Sequence, residues 1–203
     1  MAKRMEGFDE AIMIHAKKEF LEKGYENASL RTISKNACVS TSTIYTRFQD
    51  KEGLFKALVD PAAEKLLVYM DSYLNSFQTL DAKVQVDERV EYSERGYHGF
   101  LDILYEYFDE FRMITTSSTN GLYRYYLEQI VELDVKCTIH FLQISKNPAY
   151  QEGRLTDGFI HVVSSAFYSG VFEIPVQNMS REEAERYIFE LRKFYDNGWK
   201  LYL

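Results

Sequence analysis

The sequence is poor in the residues that cross-link or interrupt a chain. Its 203 residues include only two cysteines and three prolines. Cys38 and Cys137 lie far apart and form no CxxC pair, so the sequence supports neither a disulfide framework nor a zinc ribbon. Because prolines are few and no polar and apolar residues alternate convincingly over a strand length, the pattern predicts helices throughout and an all-α fold.

Long hydrophobic runs and enzyme motifs are missing as well. Charged residues interrupt the apolar residues of the first segment, so we expect no signal peptide and no membrane span. The sequence contains no GxSxG, no phosphate-binding loop and no HExxH. Cys137-x-x-His140 with Asp134 leaves a metal site short of ligands. We therefore expect a cytoplasmic protein that is not an enzyme and uses no metal or other cofactor.

Basic residues are scarce overall but unevenly distributed. The net charge is -7, yet residues 1–56 hold 10 Lys and Arg against 8 Asp and Glu, a net charge of +2. The rest of the chain therefore carries the acidic excess. An acidic body repels DNA phosphates and leaves the N-terminal part free to approach them, so the charge distribution is compatible with DNA binding.

Helix-capping residues divide the N-terminal part into short helices. A first helix over 8–23 ends at Gly24, Ser29 begins a second through Asn36, and Ser40 begins a third through Phe48. Two short helices joined by a turn of a few residues predict a helix-turn-helix, whose second helix enters the major groove of DNA. We expect a DNA-binding domain over residues 1–53 and a larger helical domain over residues 54–203.

Three motifs in this part resemble those of the TetR-type transcriptional regulators. They are GYENAS at 24–29, VSTSTIYTRF at 39–48 and DKEGLF at 50–55. Two positions depart from the family pattern: Cys38 occupies the place of the usual turn glycine, and Ser42 that of a frequent glycine in the recognition helix. A positive φ at Cys38 would cost about 1 kcal/mol. The resemblance implies a repressor with a DNA-binding head and a C-terminal region that senses a ligand and dimerises.

The third helix carries short polar side chains that suit base recognition. Thr41, Ser42 and Thr46 can reach base edges, while Ile44 and Phe48 are expected in the core. By resemblance, Tyr45 and Lys51 would hold phosphates with help from Ser40 and Thr43, and Arg31 could reach a base or a phosphate. The predicted DNA-binding residues are Arg31, Ser40, Thr41, Ser42, Thr43, Tyr45, Thr46 and Lys51.

The C-terminal part is rich in aromatic residues, which suit the wall of a small-molecule cavity. The sequence contains 16 tyrosines and 14 phenylalanines, most of them beyond residue 60. Further helices are expected over 85–111, 122–145, 155–173 and 181–202, the last opened by the capping box Ser180-x-x-Glu183. The predicted ligand-binding residues are Phe108, Tyr123, Tyr126 and His140. The other interpretation is that these four side chains are ordinary core residues.

Apolar stripes on the last two helices predict a homodimer. The predicted interface residues are Phe159, Val162, Val163, Ala166, Gly170, Ile188, Leu191, Tyr195, Trp199 and Tyr202. A dimer would read a palindromic double-stranded DNA operator through two recognition helices. We expect a transcriptional regulator, with a small-molecule effector that releases a repressor from its operator. The alternative is a helical DNA-binding regulator controlled by a protein partner.

Overall fold

The computed structural model describes residues 2–117 and 121–202, with side chains from Asp9 onward. Helices account for nearly all of this part of the chain, and no strand occurs in it. The helices are α1 (Ala2–Asn27), α2 (Leu30–Asn36), α3 (Thr41–Phe48), α4 (Lys51–Gln78), α5 (Ala82–Glu106), α6 (Phe108–Thr116), α7 (Leu122–Ile144), α8 (Pro148–Gln151), α9 (Asp157–Val171), α10 (Glu173–Val176) and α11 (Arg181–Trp199). The all-α prediction is confirmed.

The short N-terminal helices begin where their capping residues predict. The Ser29 side chain accepts a hydrogen bond from Thr32 N, and the Ser40 side chain accepts one from Thr43 N. Helix α1 begins earlier and extends further than the sequence indicates. The predicted stop is nevertheless visible within it, because Gly24 has a φ of 71° and a ψ of 166°, which only glycine adopts readily.

The prediction of one helix over 85–111 is wrong. The chain leaves the helical conformation at Tyr107, where φ is -121° and ψ is 38°, and α6 begins at the next residue. No proline or glycine marks this break, so the sequence gives no local signal for it. Pro61, by contrast, lies inside α4 and does not end that helix.

The later helices follow their predicted positions more closely. Helix α7 covers 122–144, and α11 opens with the predicted capping box, in which Ser180 and Glu183 exchange hydrogen bonds through side chain and backbone. The expected helix over 155–173 is α9, with Thr156 rather than an earlier residue as its N-cap.

The chain separates into two compact units. The first unit contains the residues up to Glu64 together with Tyr107–Tyr123, and the second contains Lys65–Glu106 and Arg124–Leu203. Ile12, Ile33, Ile44, Leu54 and Phe55 are buried in the core of the first unit. The domain boundary expected after residue 53 stays a prediction.

Candidate nucleic-acid interface and ligand cavity

The turn between α2 and α3 is held by backbone hydrogen bonds. Val39 N donates to Ser34 O at 3.0 Å and Cys38 N donates to Lys35 O at 3.2 Å. This pairing is the Schellman motif, which places the residue after the helix cap in the left-handed region. Cys38 occupies that position with a φ of 54°, so the positive φ considered from the sequence is confirmed. The turn directs the chain straight into α3.

Helix α3 buries one face and exposes the other. Ile44 is fully buried on the inner face, whereas Ser42, Tyr45 and Thr46 are exposed. The Tyr45 side chain is 52% exposed, although it carries a large ring. An aromatic ring and small hydroxyls on the accessible side of a short helix can contact phosphates and base edges.

The hydroxyl groups at the start of α3 form a local network. Ser40 Oγ lies 2.7 Å from Ser42 Oγ and 2.8 Å from Thr43 Oγ1. Thr46 Oγ1 donates to the Ser42 carbonyl at 2.8 Å, which fixes the rotamer of Thr46. With its hydroxyl hydrogen used within the helix, Thr46 keeps its methyl group and its oxygen lone pairs for a partner.

Lys51, at the first residue of α4, is held against the end of α1. Its Nζ donates to the Glu26 carbonyl at 2.8 Å and lies 5.0 Å from the centre of the Tyr25 ring. Two neutral partners restrict the ammonium group without neutralising its charge. A lysine held in this way at a helix N-terminus is well suited to an anionic group.

The predicted DNA-binding residues therefore gather at α2, α3 and the first residue of α4. Thr41 and Thr43 are half-buried, while Ser40 and Arg31 are exposed. The side chain of Arg31 makes no hydrogen bond or ion pair with any residue that the structure describes, although its carbonyl accepts from Ser34 Oγ at 3.0 Å. Arg47, on the same helix as Thr46, is instead paired with Asp9. Among the described residues, the cationic groups of Arg31 and Lys51 thus have no carboxylate partner.

The second unit contains a cavity of about 200 Å³. Helices α4, α5, α7, α9 and α11 contribute its walls. Ten of the 22 lining residues are aromatic: Tyr73, Phe77, Tyr92, Tyr97, Phe100, Phe141, Phe167, Tyr168, Tyr195 and Trp199. A concave, largely apolar site with few polar groups is the usual form of a small-molecule site.

A buried carboxylate lies in the cavity wall. Asp134 on α7 accepts hydrogen bonds from Ser164 Oγ at 2.6 Å and from the Tyr168 hydroxyl at 3.3 Å. Burial raises the pKa of Asp134, although these two hydrogen bonds oppose the increase. Burial also raises the pKa values of Tyr97 and Tyr168, so both phenols stay neutral at physiological pH.

Two arginines and a second carboxylate also line the cavity. Arg89 on α5 has its pKa lowered by burial, and the nearby Asp196 carboxylate opposes that change. The Arg192 guanidinium lies 5.0 Å from the centre of the Tyr97 ring. The polar part of the site therefore combines both signs of charge, with the positive groups on α5 and α11.

None of the four predicted ligand-binding residues lines this cavity. Phe108 and Tyr123 belong to the first unit. Tyr126 is buried near the start of α7, and His140 lines a separate open groove with His161. Tyr123, Tyr126 and His140 lie on α7, within the helix expected over 122–145, whereas Phe108 begins α6 and does not belong to a helix over 85–111. The inward side of a helix depends on its packing partners, which no local pattern specifies.

The predicted dimer residues fall into three groups. Phe159, Val162 and Ala166 are exposed on α9. The interior group is Val163, Tyr195 and Trp199, which line the cavity, with Ile188 buried and Tyr202 packed against a core cluster. Gly170 and Leu191 meet within one chain, because a Cβ on Gly170 would lie 3.3 Å from Leu191 Cδ2.

Exposed apolar residues that the sequence analysis missed extend the surface on and beyond α11. Phe189, Phe194 and Leu201 are 58%, 75% and 77% exposed. They were missed because the regular stripe of α11 faces the interior of its own chain. Exposed apolar residues that form one large patch are a feature that protein interfaces commonly cover.

The apolar character of α9 and α10 has a local explanation. Asp157–Val176 is long and apolar enough to be considered as a membrane span, but 44% of it is buried within the chain. The helix packs one side against the cavity and exposes another, so both sides are apolar. Among the described residues, no three His, Cys, Asp or Glu side chains are grouped to hold a metal ion.

Comparison with known proteins relates the N-terminal part of the chain to a family. Residues 12–58 match the family model described as bacterial regulatory proteins, tetR family. No curated protein matches the chain.

Several solved structures share the fold. A TetR family transcriptional regulator PfmR from Thermus thermophilus is 16% identical, with a TM-score of 0.57 over 89% of this chain and 94% of that one. A candidate fatty acid metabolism regulator from Clostridium perfringens is 17% identical, with a TM-score of 0.58 over 89% and 94%. A member of the TetR transcriptional regulator family from Streptomyces coelicolor is 22% identical, with a TM-score of 0.53 over 89% and 86%.

The matched residues cover α2, α3 and the start of α4, the elements that gather the predicted DNA-binding side chains. Regulators of this family bind DNA operators, act as dimers and are not enzymes. The resemblance seen in the sequence motifs is confirmed.

Proposed function

We propose that this chain, a TetR-family transcriptional regulator, is a cytoplasmic repressor that a small-molecule effector releases from its operator. The observation that carries the proposal is the accessible side of α3, where Ser42, Tyr45 and Thr46 lie beside a tethered Lys51. In this proposal Lys51 and Tyr45 hold phosphates, and Ser42 and Thr46 read base edges.

The proposed repressor acts as a homodimer. Phe159 and Val162 on α9 and Phe194 on α11 are exposed apolar residues, and Leu201 follows directly after α11. A second copy would cover this surface and hold two recognition helices in a fixed relation. Two symmetric reading helices match a palindromic operator whose half-sites lie one helical turn of DNA apart, or a multiple of it.

The cavity supports a small-molecule effector over control by a protein partner. Control by a partner would be favoured by a solid core in the second unit, whereas Asp134 and aromatic rings surround a space of about 200 Å³. Helix α4 begins at Lys51 and contributes Tyr73 and Phe77 to the cavity wall. A ligand that shifts α4 would therefore displace Lys51 and lower operator affinity, with a coupling of about 1 to 3 kcal/mol.

The decisive experiment distinguishes phosphate contacts from base contacts at the proposed DNA surface. Lys51→Ala should weaken binding to operator and to random DNA alike, and the salt slope should fall by about 2 in a dimer. Thr46→Ala should cost about 1 kcal/mol or more on the operator only, with relaxed base preference at one symmetric position. Thr46→Ser, which keeps the hydroxyl, tests whether the methyl group does the reading.

Lys193→Ala is the control for charge, because Lys193 is an exposed lysine of α11 in the other unit. It should leave both affinity and salt slope unchanged. Titrations on operator and scrambled duplexes at several salt concentrations measure all four variants. If Lys51→Ala and Thr46→Ala both bind the operator like the parent, α3 is not the reading helix and the repressor proposal fails.

A further inference from the structure

Asp134 is the one carboxylate of the cavity wall that faces only neutral donors. Its two hydrogen-bond partners are the hydroxyls of Ser164 and Tyr168. No Lys, Arg or His that the structure describes forms an ion pair with it. A carboxylate removed from water without a cation is costly unless a partner compensates it.

The positive groups of the same cavity have partners other than Asp134. Arg89 is attracted by Asp196, and Arg192 faces the Tyr97 ring and approaches the Val90 carbonyl at 3.5 Å. Asp134 on α7 is therefore a carboxylate of the cavity wall that has no cationic partner among the described residues.

Several aromatic rings line the same cavity as this carboxylate. The Phe167 ring centre lies 5.5 Å from that of Tyr97, 5.3 Å from that of Tyr168 and 5.1 Å from that of Tyr195. The faces of such rings attract cations, most strongly where water is excluded. A carboxylate beside several aromatic rings is the arrangement that binds an organic ammonium group.

We infer that the effector is a compact organic monocation, whose ammonium group pairs with Asp134 and contacts the rings of Tyr97, Phe167 and Tyr168. This inference rests on the proposed function, because it names the ligand class of the proposed effector site. The volume of about 200 Å³ suits a compact ligand, since sites for drug-sized ligands are about 300–1,000 Å³. A cation would supply the countercharge that Asp134 lacks.

Three probes of nearly equal shape test the charge preference directly. Choline carries a trimethylammonium group, 3,3-dimethylbutan-1-ol is its uncharged carbon isostere, and 3,3-dimethylbutanoate carries a negative charge on the same apolar head. Trp199 lines the cavity and is the only tryptophan in the sequence, so its fluorescence reports occupancy in the full-length protein without DNA. Benzyltrimethylammonium and neopentylbenzene form a second matched pair with a larger apolar body.

We expect each cation to bind about tenfold or more tightly than its neutral isostere. Asp134→Asn keeps an oxygen to accept from Ser164 and Tyr168, and it should abolish this preference. Asp196→Asn removes the other carboxylate of the wall and should preserve it. The comparison of ligands on the parent protein requires no variant, so it decides the question even if Asp134→Asn fails to fold.

Equal binding of cation and isostere, preference for the carboxylate, or no binding of any probe would overturn the inference. So would a preference that survives in Asp134→Asn. Tighter binding of 3,3-dimethylbutanoate would assign the site to Arg89 and to an anionic ligand. None of these results concerns DNA, so the proposed repressor function is tested separately by whether occupancy of the cavity releases the operator.

Discussion

Gly53 occupies a position in α4 where any side chain meets backbone. A Cβ built on it would lie 1.9 Å from the Phe48 carbonyl oxygen. The approach arises because Gln49, with a φ of 69° and a ψ of -57°, turns the chain so that Asp50 N donates to that carbonyl at 2.8 Å. Since real Cβ contacts stay beyond about 3 Å, Gly53→Ala requires a backbone shift of roughly 1 Å.

The expected result of Gly53→Ala is a loss of stability. Glycine in a helix normally costs about 0.5–1 kcal/mol relative to alanine, so alanine should stabilise an unobstructed site. Here overpacking of about 1–3 kcal/mol opposes and exceeds that gain. The shift would also move Lys51 at the start of α4, so operator affinity should fall with it.

Urea denaturation at fixed protein concentration, with an operator titration, measures both effects. Gly158→Ala is the control, because Gly158 lies in the first turn of α9 and its Cβ would have no neighbour closer than 4.0 Å. This variant should be equal to the parent or slightly more stable. If Gly53→Ala is as stable as Gly158→Ala, the close approach of the Phe48 carbonyl does not constrain α4 and the reasoning is refuted.

Three further changes test other parts of the chain. Cys38→Gly should raise the free energy of unfolding by about 1 kcal/mol, since φ is 54° there, and an unchanged denaturation midpoint would contradict this. Phe194→Glu should shift the sedimentation equilibrium towards monomer. Val68→Glu, a change at a similarly exposed residue of α4, should not. If the two variants dimerise equally well, α11 is not part of the interface. Asp134→Asn should stabilise the protein at neutral pH, because burial raises the pKa of Asp134 in the folded chain. At pH values between the ordinary pKa and that raised value, the folded state binds more protons than the unfolded state. The free energy of unfolding of the parent therefore falls by up to about 1.4 kcal/mol for each unit of pH increase. Denaturation at several pH values should show that Asp134→Asn lacks this dependence.

The N-terminal helices could be predicted from the sequence because local interactions specify them. Ser29 and Ser40 cap α2 and α3 within three residues, and Gly24 ends the regular part of α1 through its own backbone freedom. The turn at Cys38 follows from the same short-range hydrogen bonds. Eight predicted DNA-binding residues therefore gather in one region, although their contacts with DNA stay predictions.

The cavity could not be predicted in this way, because it depends on which sides of five helices face one another. Val90 and Tyr97 are seven residues apart on α5 and so lie on the same side of that helix, yet Val90 is 51% exposed and Tyr97 lines the cavity. Trp199 was assigned to a dimer stripe for the same reason, since a spacing of three and four residues identifies an apolar face but not its partner.

The buried Asp134 carboxylate affects both ligand binding and the stability of the fold, and the two effects can be measured separately. A cation that pairs with Asp134 adds its binding free energy to the folded state, about 2.7 kcal/mol at a concentration of 100 Kd. Asp134→Asn removes the same electrostatic cost without any ligand. The two stabilisations should therefore not add: in Asp134→Asn, choline should raise the unfolding temperature no more than 3,3-dimethylbutan-1-ol does. If choline stabilises the variant as much as the parent, the cation binds away from Asp134, and the raised pKa of that carboxyl has no part in recognition.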